Sequence, residues 1–326
     1  MRIVLRSFWA VSIQGVSDTR GLLVSPTSLY LFIRDNLNFF FSWRHLPVGR
    51  RDLVIDIGSG SDPNMRADIL CDFYPETDEE RSAKLGIWID RRPFVLCDIQ
   101  KLPFRDKVID YVLCTHLLEH VENPRQAVRE LTRVGKKGRV ETPSKLFECL
   151  YGWPFHQWMI SQREDGRILF ERKDPGAHGL LPDSIKKSRE FEALVSRFYS
   201  HFLVKFEWEG SCDIEVKGQG EASPPQETVD PEGFVRRWKA EWTLRRKVKT
   251  FLIQLIRRLI SCHFRTDISE ILCCPICKGR LLKERGRLIC ETCVRQFPVI
   301  DNIFFLSERT GILLDQIPSA RSSRRD

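Results

Sequence analysis

Short apolar runs alternate with helical patterns through the middle of the chain. Four runs are rich enough in apolar residues to be strands buried on both faces: Leu53-Val-Ile-Asp-Ile, Ala67-Asp-Ile-Leu-Cys-Asp, Pro93-Phe-Val-Leu-Cys-Asp and Val108-Ile-Asp-Tyr-Val-Leu-Cys. Between the fourth run and the next, Asn123 offers a cap and Pro124 a first helical residue. Ala127, Val128, Leu131 and Val134 then recur at helical spacing before Gly135. Such alternation predicts an α/β domain with a mostly parallel central sheet over 49–217. Ahead of it, Leu29, Leu31, Phe32, Phe39, Phe40 and Trp43 predict a helical extension within 1–48. Behind it, Gln219-Gly-Glu-Ala-Ser-Pro-Pro-Gln-Glu-Thr opens a linker region, 218–267. That region ends in an amphipathic helix over 245–260, whose Val248, Phe251, Leu252, Leu255, Ile256 and Leu259 are expected to face inward, leaving Lys and Arg in water. A small cysteine-rich domain is expected over 268–308 and a disordered tail over 309–326.

Composition narrows the class. Hydrophobic residues at 42% and charged residues at 29% are ordinary for a globular chain and leave no room for a fibrous or wholly disordered one. The net charge of +8 is carried by the C-terminal part, where 20 Lys and Arg face 9 acids after residue 235. Such a stretch attracts RNA or anionic surfaces, or is simply a solvated face. No apolar run is long enough to span a bilayer: Leu29–Trp43 is interrupted by Arg34 and Asp35, and Phe251–Ile260 by Arg257 and Arg258. A cytoplasmic location is expected, with at most weak peripheral membrane contact. Of the 11 cysteines, Cys71, Cys97 and Cys114 fall inside apolar runs and read as reduced core thiols.

The strand ends carry the first chemistry. The run at 53–57 leads into Gly58-Ser-Gly60, and glycines there let a ligand approach the backbone over a strand end. The second run ends in Asp72, at the separation expected of a carboxylate that accepts ribose hydroxyls, and the third ends in Asp98. A nicotinamide site would need a third glycine opening a helix, and Asp62-Pro63 stands near that place, so hydride transfer is disfavoured. In order and separation, Asp56-Ile-Gly-Ser-Gly60, Cys97-Asp-Ile-Gln-Lys-Leu-Pro-Phe104 and Leu118-Glu-His-Val-Glu-Asn-Pro124 resemble the class I, type-11-like, S-adenosylmethionine-dependent methyltransferases, over residues 53–145. The resemblance implies a Rossmann-like domain in which Gly58 and Gly60 border the methionine part of S-adenosylmethionine, Asp72 binds ribose, Asp98 and Ile99 meet adenine, and Asp56 holds the amino group or orders the loop.

His116-Leu-Leu-Glu-His120 matches a zinc-peptidase pattern as a bare string, but it follows a strand and precedes the Asn123-Pro124 helix start, so both histidines belong to the loop after the fourth strand. Open α/β sheets place substrates there. His116 is therefore a general-base candidate and His120 a second catalytic candidate, the alternative being histidines that only hold the loop. The Asn/Asp-Pro-Pro-Tyr string of many amine methyltransferases is replaced by Cys114-Thr-His-Leu, which disfavours planar amines as acceptors. Downstream, Tyr151-Gly-Trp-Pro-Phe-His-Gln-Trp is an aromatic segment that either covers an acceptor or packs in a core.

Cys274-Pro-Ile-Cys277 and Cys290-Glu-Thr-Cys293 are two C-x-x-C knuckles twelve residues apart, a spacing that fits one tetrahedral zinc ion, with Cys273 a bystander. The wider segment, Ile271 to Leu306, resembles the Trm112-like zinc ribbons. Members of that group partner methyltransferases of the translation apparatus, so the resemblance implies a translation-related RNA or protein as partner. Two functions follow: methyl transfer to an unidentified acceptor, either such an RNA or protein or a small metabolite, and, as the alternative, a catalytically silent methyltransferase-fold adaptor.

Overall fold

The computed structural model describes residues 45–73, 87–220, 230–240, 242–263 and 267–313. The N-terminal extension before residue 45 and the segment Ser319–Asp326 lie outside the described residues.

The buried runs form the expected strands. Strands β1 (Val54–Ile57), β2 (Ile69–Asp72), β3 (Phe94–Leu96), β4 (Ile109–Thr115) and β5 (Gly135–Pro143) pair in parallel in the order β3-β2-β1-β4-β5, the doubly wound arrangement. All residues of β1, β2 and β3 are buried, which is why they read as continuous apolar runs. Helix α1 (Pro124–Val134) crosses between β4 and β5 and packs Ala127, Val128, Leu131 and Val134 against the sheet. Its Asn123 side chain accepts the Gln126 N–H and its C-cap is Gly135, as the sequence predicts. After α2 (Lys145–Tyr151) come the hairpin strands β6 (Trp158–Gln162) and β7 (Ile168–Arg172), then α3 (Asp183–Lys186) and α4 (Arg189–Phe198). Strand β8 (Leu203–Glu209) closes one edge of the main sheet antiparallel to β5, and β9 (Ile214–Lys217) joins β6 and β7 in a separate three-stranded sheet.

The region expected as a linker does more. Its helices α5 (Pro231–Ala240) and α6 (Leu244–Ile260) lie against the main domain. Phe234 and Val235 pack with Ala67, Leu70, Phe94 and Leu96, while Ile253 and Ile260 pack with Met65. The outward face of α6 reverses the expectation: Val248, Phe251, Leu252, Leu255 and Leu259 are exposed and Arg257 is buried. The cause is Asp68, a carboxylate 1% exposed. It accepts Val54 N and Arg66 on one oxygen, and Arg257 Nη2 at 2.8 Å and Ser261 Oγ at 2.5 Å on the other. A buried charge needs a partner more than a helix needs a dry apolar stripe.

The cysteine-rich module forms β10 (Leu281–Glu284), β11 (Arg287–Cys290), β12 (Arg295–Ile300) and β13 (Ile303–Phe305), antiparallel in sequence. Strand β13 then pairs in parallel with β3, with Phe304 opposite Val95, so the ribbon extends the central sheet instead of standing apart. Ile303, Phe304, Phe305 and Leu306 are all buried, and Phe305 shares a cluster with Phe94, Leu96 and Phe234. On the other side, Phe104 bridges to Leu272 and the Cys273 N–H donates to Pro103 O at 2.9 Å. Strand β14 (Ile312–Leu313) pairs with β12, so the ordered ribbon runs beyond 308 and the tail expected from 309 cannot start before 314. Among the described residues no helix is long and apolar enough to cross a membrane.

Candidate active site and metal centre

The carboxyl ends of β1, β2, β3 and β4 line one side of the sheet, at the point where strand order reverses between β1 and β4. Gly58 and Gly60 turn the chain out of β1 with φ of 75° and 53°, left-handed values that side chains rarely adopt. The Gly58 and Ser59 N–H groups both donate to Cys71 O, fixing the turn to β2. A Cβ at Gly58 would meet Leu117 at 3.0 Å, whereas one at Gly60 would meet nothing nearer than Gly58 O at 3.9 Å, so the space over Gly60 is open.

The acids are built into this turn. Asp56 Oδ2 accepts Asn64 N at 2.6 Å, tying the loop back to β1. Asp72 accepts Gly60 N at 2.9 Å on Oδ2 and Phe73 N at 2.8 Å on Oδ1. Asp98 caps the short 3-10 turn Ile99–Lys101 through Gln100 N, with Ile99 buried beneath it. Cys71, Cys97 and Cys114 are buried and free, and burial pushes the thiols of Cys71 and Cys114 well up.

After β4 the loop bearing His116, Glu119 and His120 is held by β6: Gln157 N donates to Glu119 O, Gln157 Nε2 to His120 O and Trp158 Nε1 to Val121 O. His116 has φ 53°, a strained value for a histidine, kept by its N–H to Glu141 O at 2.8 Å. Its Nε2 lies 3.1 Å from Tyr199 Oη and its Nδ1 3.5 Å from Glu119 Oε1. Burial raises the Tyr199 phenol far above its usual range, so it stays a hydroxyl. His120 stacks on Phe155 and meets His156 edge-on; burial, with His156 beside it, lowers its pKa to about 4.

The sequence did not point to His156, whose place beside His120 follows from the β6 contacts. The aromatic segment, read as either an acceptor cover or core packing, is largely core. Tyr151 and Trp153 stack on each other over Phe147 in a packed cluster, and a shallow groove of about 490 Å³ opens beside them, lined by Pro154, His178 and Leu181.

In the ribbon, Cys274 Sγ and Cys293 Sγ are 3.6 Å apart, and Cys277 Sγ and Cys290 Sγ 3.4 Å. The four sulfurs lie within 4.8 Å of one another. Zinc–sulfur bonds of about 2.3 Å in a tetrahedron put sulfurs about 3.8 Å apart, so this quartet is sized for zinc and far too open for disulfides. Cys273 is buried and outside the quartet.

A doubly wound domain with a ligand crevice at its switch point, extended at one edge by a cysteine ribbon, is the class of protein that the fold and site define. Residues 69–140 match the Methyltransf_11 family, a methyltransferase domain, and residues 265–302 match the Trm112p-like protein family. Two relatives cover the ribbon: a UPF0434 protein of Legionella pneumophila (strain Corby), 44% identical over 47 residues, 14% of this chain and 80% of that protein, and a UPF0434 protein of Pseudoalteromonas translucida (strain TAC 125), 40% identical over 58 residues, 17% and 89%. Through this C-terminal module the chain belongs to the UPF0434, Trm112p-like family, and it carries a methyltransferase domain ahead of it. Among solved structures it is similar to a complex of the Haloferax volcanii Trm112 methyltransferase activator with a methyltransferase, at 13% identity and TM-score 0.35, over 63% of this chain and 97% of that one. It is also similar to an S-adenosylmethionine-dependent methyltransferase of Thermotoga maritima, at 20% identity and TM-score 0.23, over 36% and 59%.

Proposed function

We propose that the protein is an S-adenosylmethionine-dependent methyltransferase whose ribbon, loaded with one zinc ion on Cys274, Cys277, Cys290 and Cys293, is a structural part of the catalytic unit. The observation that carries the reading is the strand-end crevice: an open glycine turn at Gly58 and Gly60 with Asp72 and Asp98 on the two neighbouring strand ends. In this reading Gly58 and Gly60 admit the methionine part over β1. Asp72 accepts from the ribose hydroxyls, and Asp98 with Ile99 flanks adenine. Asp56 keeps the loop in register through Asn64. The bound cofactor would supply an activated methyl on a sulfonium, a good leaving group, so the chain's task is to bind, align and, for a protonated acceptor, remove a proton.

His116 is assigned as the base. Tyr199 Oη on Nε2 orients its ring and would relay the acceptor's proton to it, and Glu119, 3.5 Å from Nδ1, is placed to stabilise the imidazolium that forms. His120, with a pKa of about 4, is too weak a base for that step near neutral pH and is assigned to holding the loop. The acceptor is a translation-related RNA or protein, as the ribbon family favours, or a small metabolite, as the methyltransferase family favours. Incubation with methyl-labelled cofactor and fractionated cytoplasmic extract separates the two by which fraction takes label.

Calorimetry tests the site. The full chain should bind S-adenosylmethionine or its demethylated product, and Asp72→Ala and Asp98→Ala should each weaken binding by about 1.5–3 kcal/mol through loss of charge-assisted hydrogen bonds. Unchanged affinity in both variants sinks the crevice assignment, and no binding by the parent protein moves the chain to a catalytically silent adaptor.

A further inference from the structure

We propose that Glu119, His120 and His156 form a second, sulfur-free cation site that takes one divalent first-row transition ion. The site shares Glu119 and His120 with the loop that bears His116, and its test reads metal binding rather than methyl transfer.

Glu119 is 1% exposed, and neither of its carboxylate oxygens receives a hydrogen bond. The nearest donors to Oε1 are His116 Nδ1 at 3.5 Å and His120 Nε2 at 4.0 Å, both beyond good hydrogen-bond range. A buried carboxylate left in this state is held at high cost unless a cation completes it.

His156 is prepared for the same task. Its Nδ1 lies 2.6 Å from Glu148 Oε2. That contact engages Nδ1 and leaves Nε2 as the ring atom that can face a cation. Lys173 Nζ, 2.5 Å from Glu148 Oε1, holds that carboxylate in place behind the ring. A carboxylate behind an imidazole is the usual support of a metal-binding histidine, fixing both tautomer and ring orientation. His120 adds a buried Nδ1 with no hydrogen-bond partner.

One ligand atom from each of Glu119, His120 and His156 lies within 4.8 Å of the other two. Bonds of about 2.1 Å put neighbouring ligand atoms roughly 3–3.5 Å apart, so a contraction of about 1 Å closes the site. Two imidazoles and one carboxylate suit zinc, iron, cobalt or manganese rather than calcium or magnesium, which take oxygen cages, and they leave positions open for water or a substrate oxygen. The competing arrangement keeps the cluster metal-free, with only the His116 and His120 rings beside Glu119.

The test uses the full chain with its ribbon zinc in place, titrated with Co2+. One further Co2+ per chain should bind, with the weak visible bands of a nitrogen and oxygen site and without the intense sulfur charge-transfer that Co2+ in the ribbon would give. Zn2+ should displace it. Glu119→Gln and His156→Gln should each weaken this binding at least tenfold, Glu148→Gln should weaken it less, and all should keep the ribbon zinc. Should Glu119→Gln fail to fold, His120→Gln, at the partly exposed rim of the cluster, gives the same reading. Absence of saturable Co2+ or Zn2+ binding beyond the ribbon at millimolar metal overturns the proposal, as does binding that survives Glu119→Gln and His156→Gln unchanged. Neither outcome touches S-adenosylmethionine binding, which calorimetry reads separately.

Discussion

The ribbon and the strand-end crevice are built on opposite principles. The ribbon's four cysteines come from 20 consecutive residues, two knuckles and a hairpin, and the chain between them has little freedom to place them otherwise. The crevice collects Gly58, Gly60, Asp72, Asp98 and His116 from four strand ends, and its loop from 116 to 121 is held by contacts from β5 and from Gln157 and Trp158 at the start of β6. What joins the two is β13. A ribbon of this size has too little interior to bury Phe304, Phe305 and Leu306 alone, and it resolves this by placing them in the central sheet beside β3, the strand that leads to Asp98. The lesson is that a small cysteine ribbon can complete its interior by sharing that of the domain beside it.

The largest test of that dependence is removal. Deleting residues 268–326 exposes the edge of β3 and the Phe94, Leu96 and Phe234 cluster, and should yield an aggregating domain with no cooperative melt, read by solubility and circular dichroism. A truncated chain that stays soluble and melts unchanged would separate the two regions. Phe305→Ala is the graded form. It empties a fully buried ring site at the seam and should cost roughly 3–5 kcal/mol in chemical denaturation. Its metal content should stay at one zinc, because the knuckles are local.

A smaller effect sits on the other side of the seam. Glu130 on α1 accepts Arg133 at 2.6 Å and, from the ribbon knuckle, Lys278 Nζ at 2.9 Å, while Lys278 also donates to Leu102 O. Burial opposes ionisation of Glu130, but the two cations outweigh it and hold its carboxyl below the usual glutamate range. A depressed carboxylate contributes stability that is present above its unfolded pKa and is lost as pH falls through the folded value. The seam should therefore weaken below about pH 4.5. Glu130→Gln should cost about 1–2 kcal/mol at pH 7 and flatten that part of the stability–pH curve, measured by denaturation at a series of pH values.

How much of this was legible in the sequence follows the same division. Strands β1 to β4 read directly, because strands buried on both faces are continuous apolar runs, and α1 read to the residue through Asn123, Pro124 and Gly135. The ribbon read from cysteine spacing. Three features did not read. His156 lies far along the chain from Glu119 and His120, and only the pairing of Gln157 and Trp158 with their loop brings it close. The outward face of α6 departs from its apolar pattern because Asp68, buried under it, draws in Arg257, and a lone carboxylate at the foot of β2 gives no sign of its distant partner. The pairing of β13 with β3 joins segments some 200 residues apart, and a three-residue apolar strand names no partner.

Scanning calorimetry of the zinc-loaded full chain shows whether ribbon and methyltransferase domain form one cooperative unit with the strand-end crevice inside it. The account predicts a single transition, in which ribbon and domain unfold together, and which moves up as a whole when the demethylated cofactor product is added, by mass action on the native state. Two transitions, with a zinc-dependent one that ignores the cofactor product and a second that follows it, would contradict the account and make the ribbon an independent module.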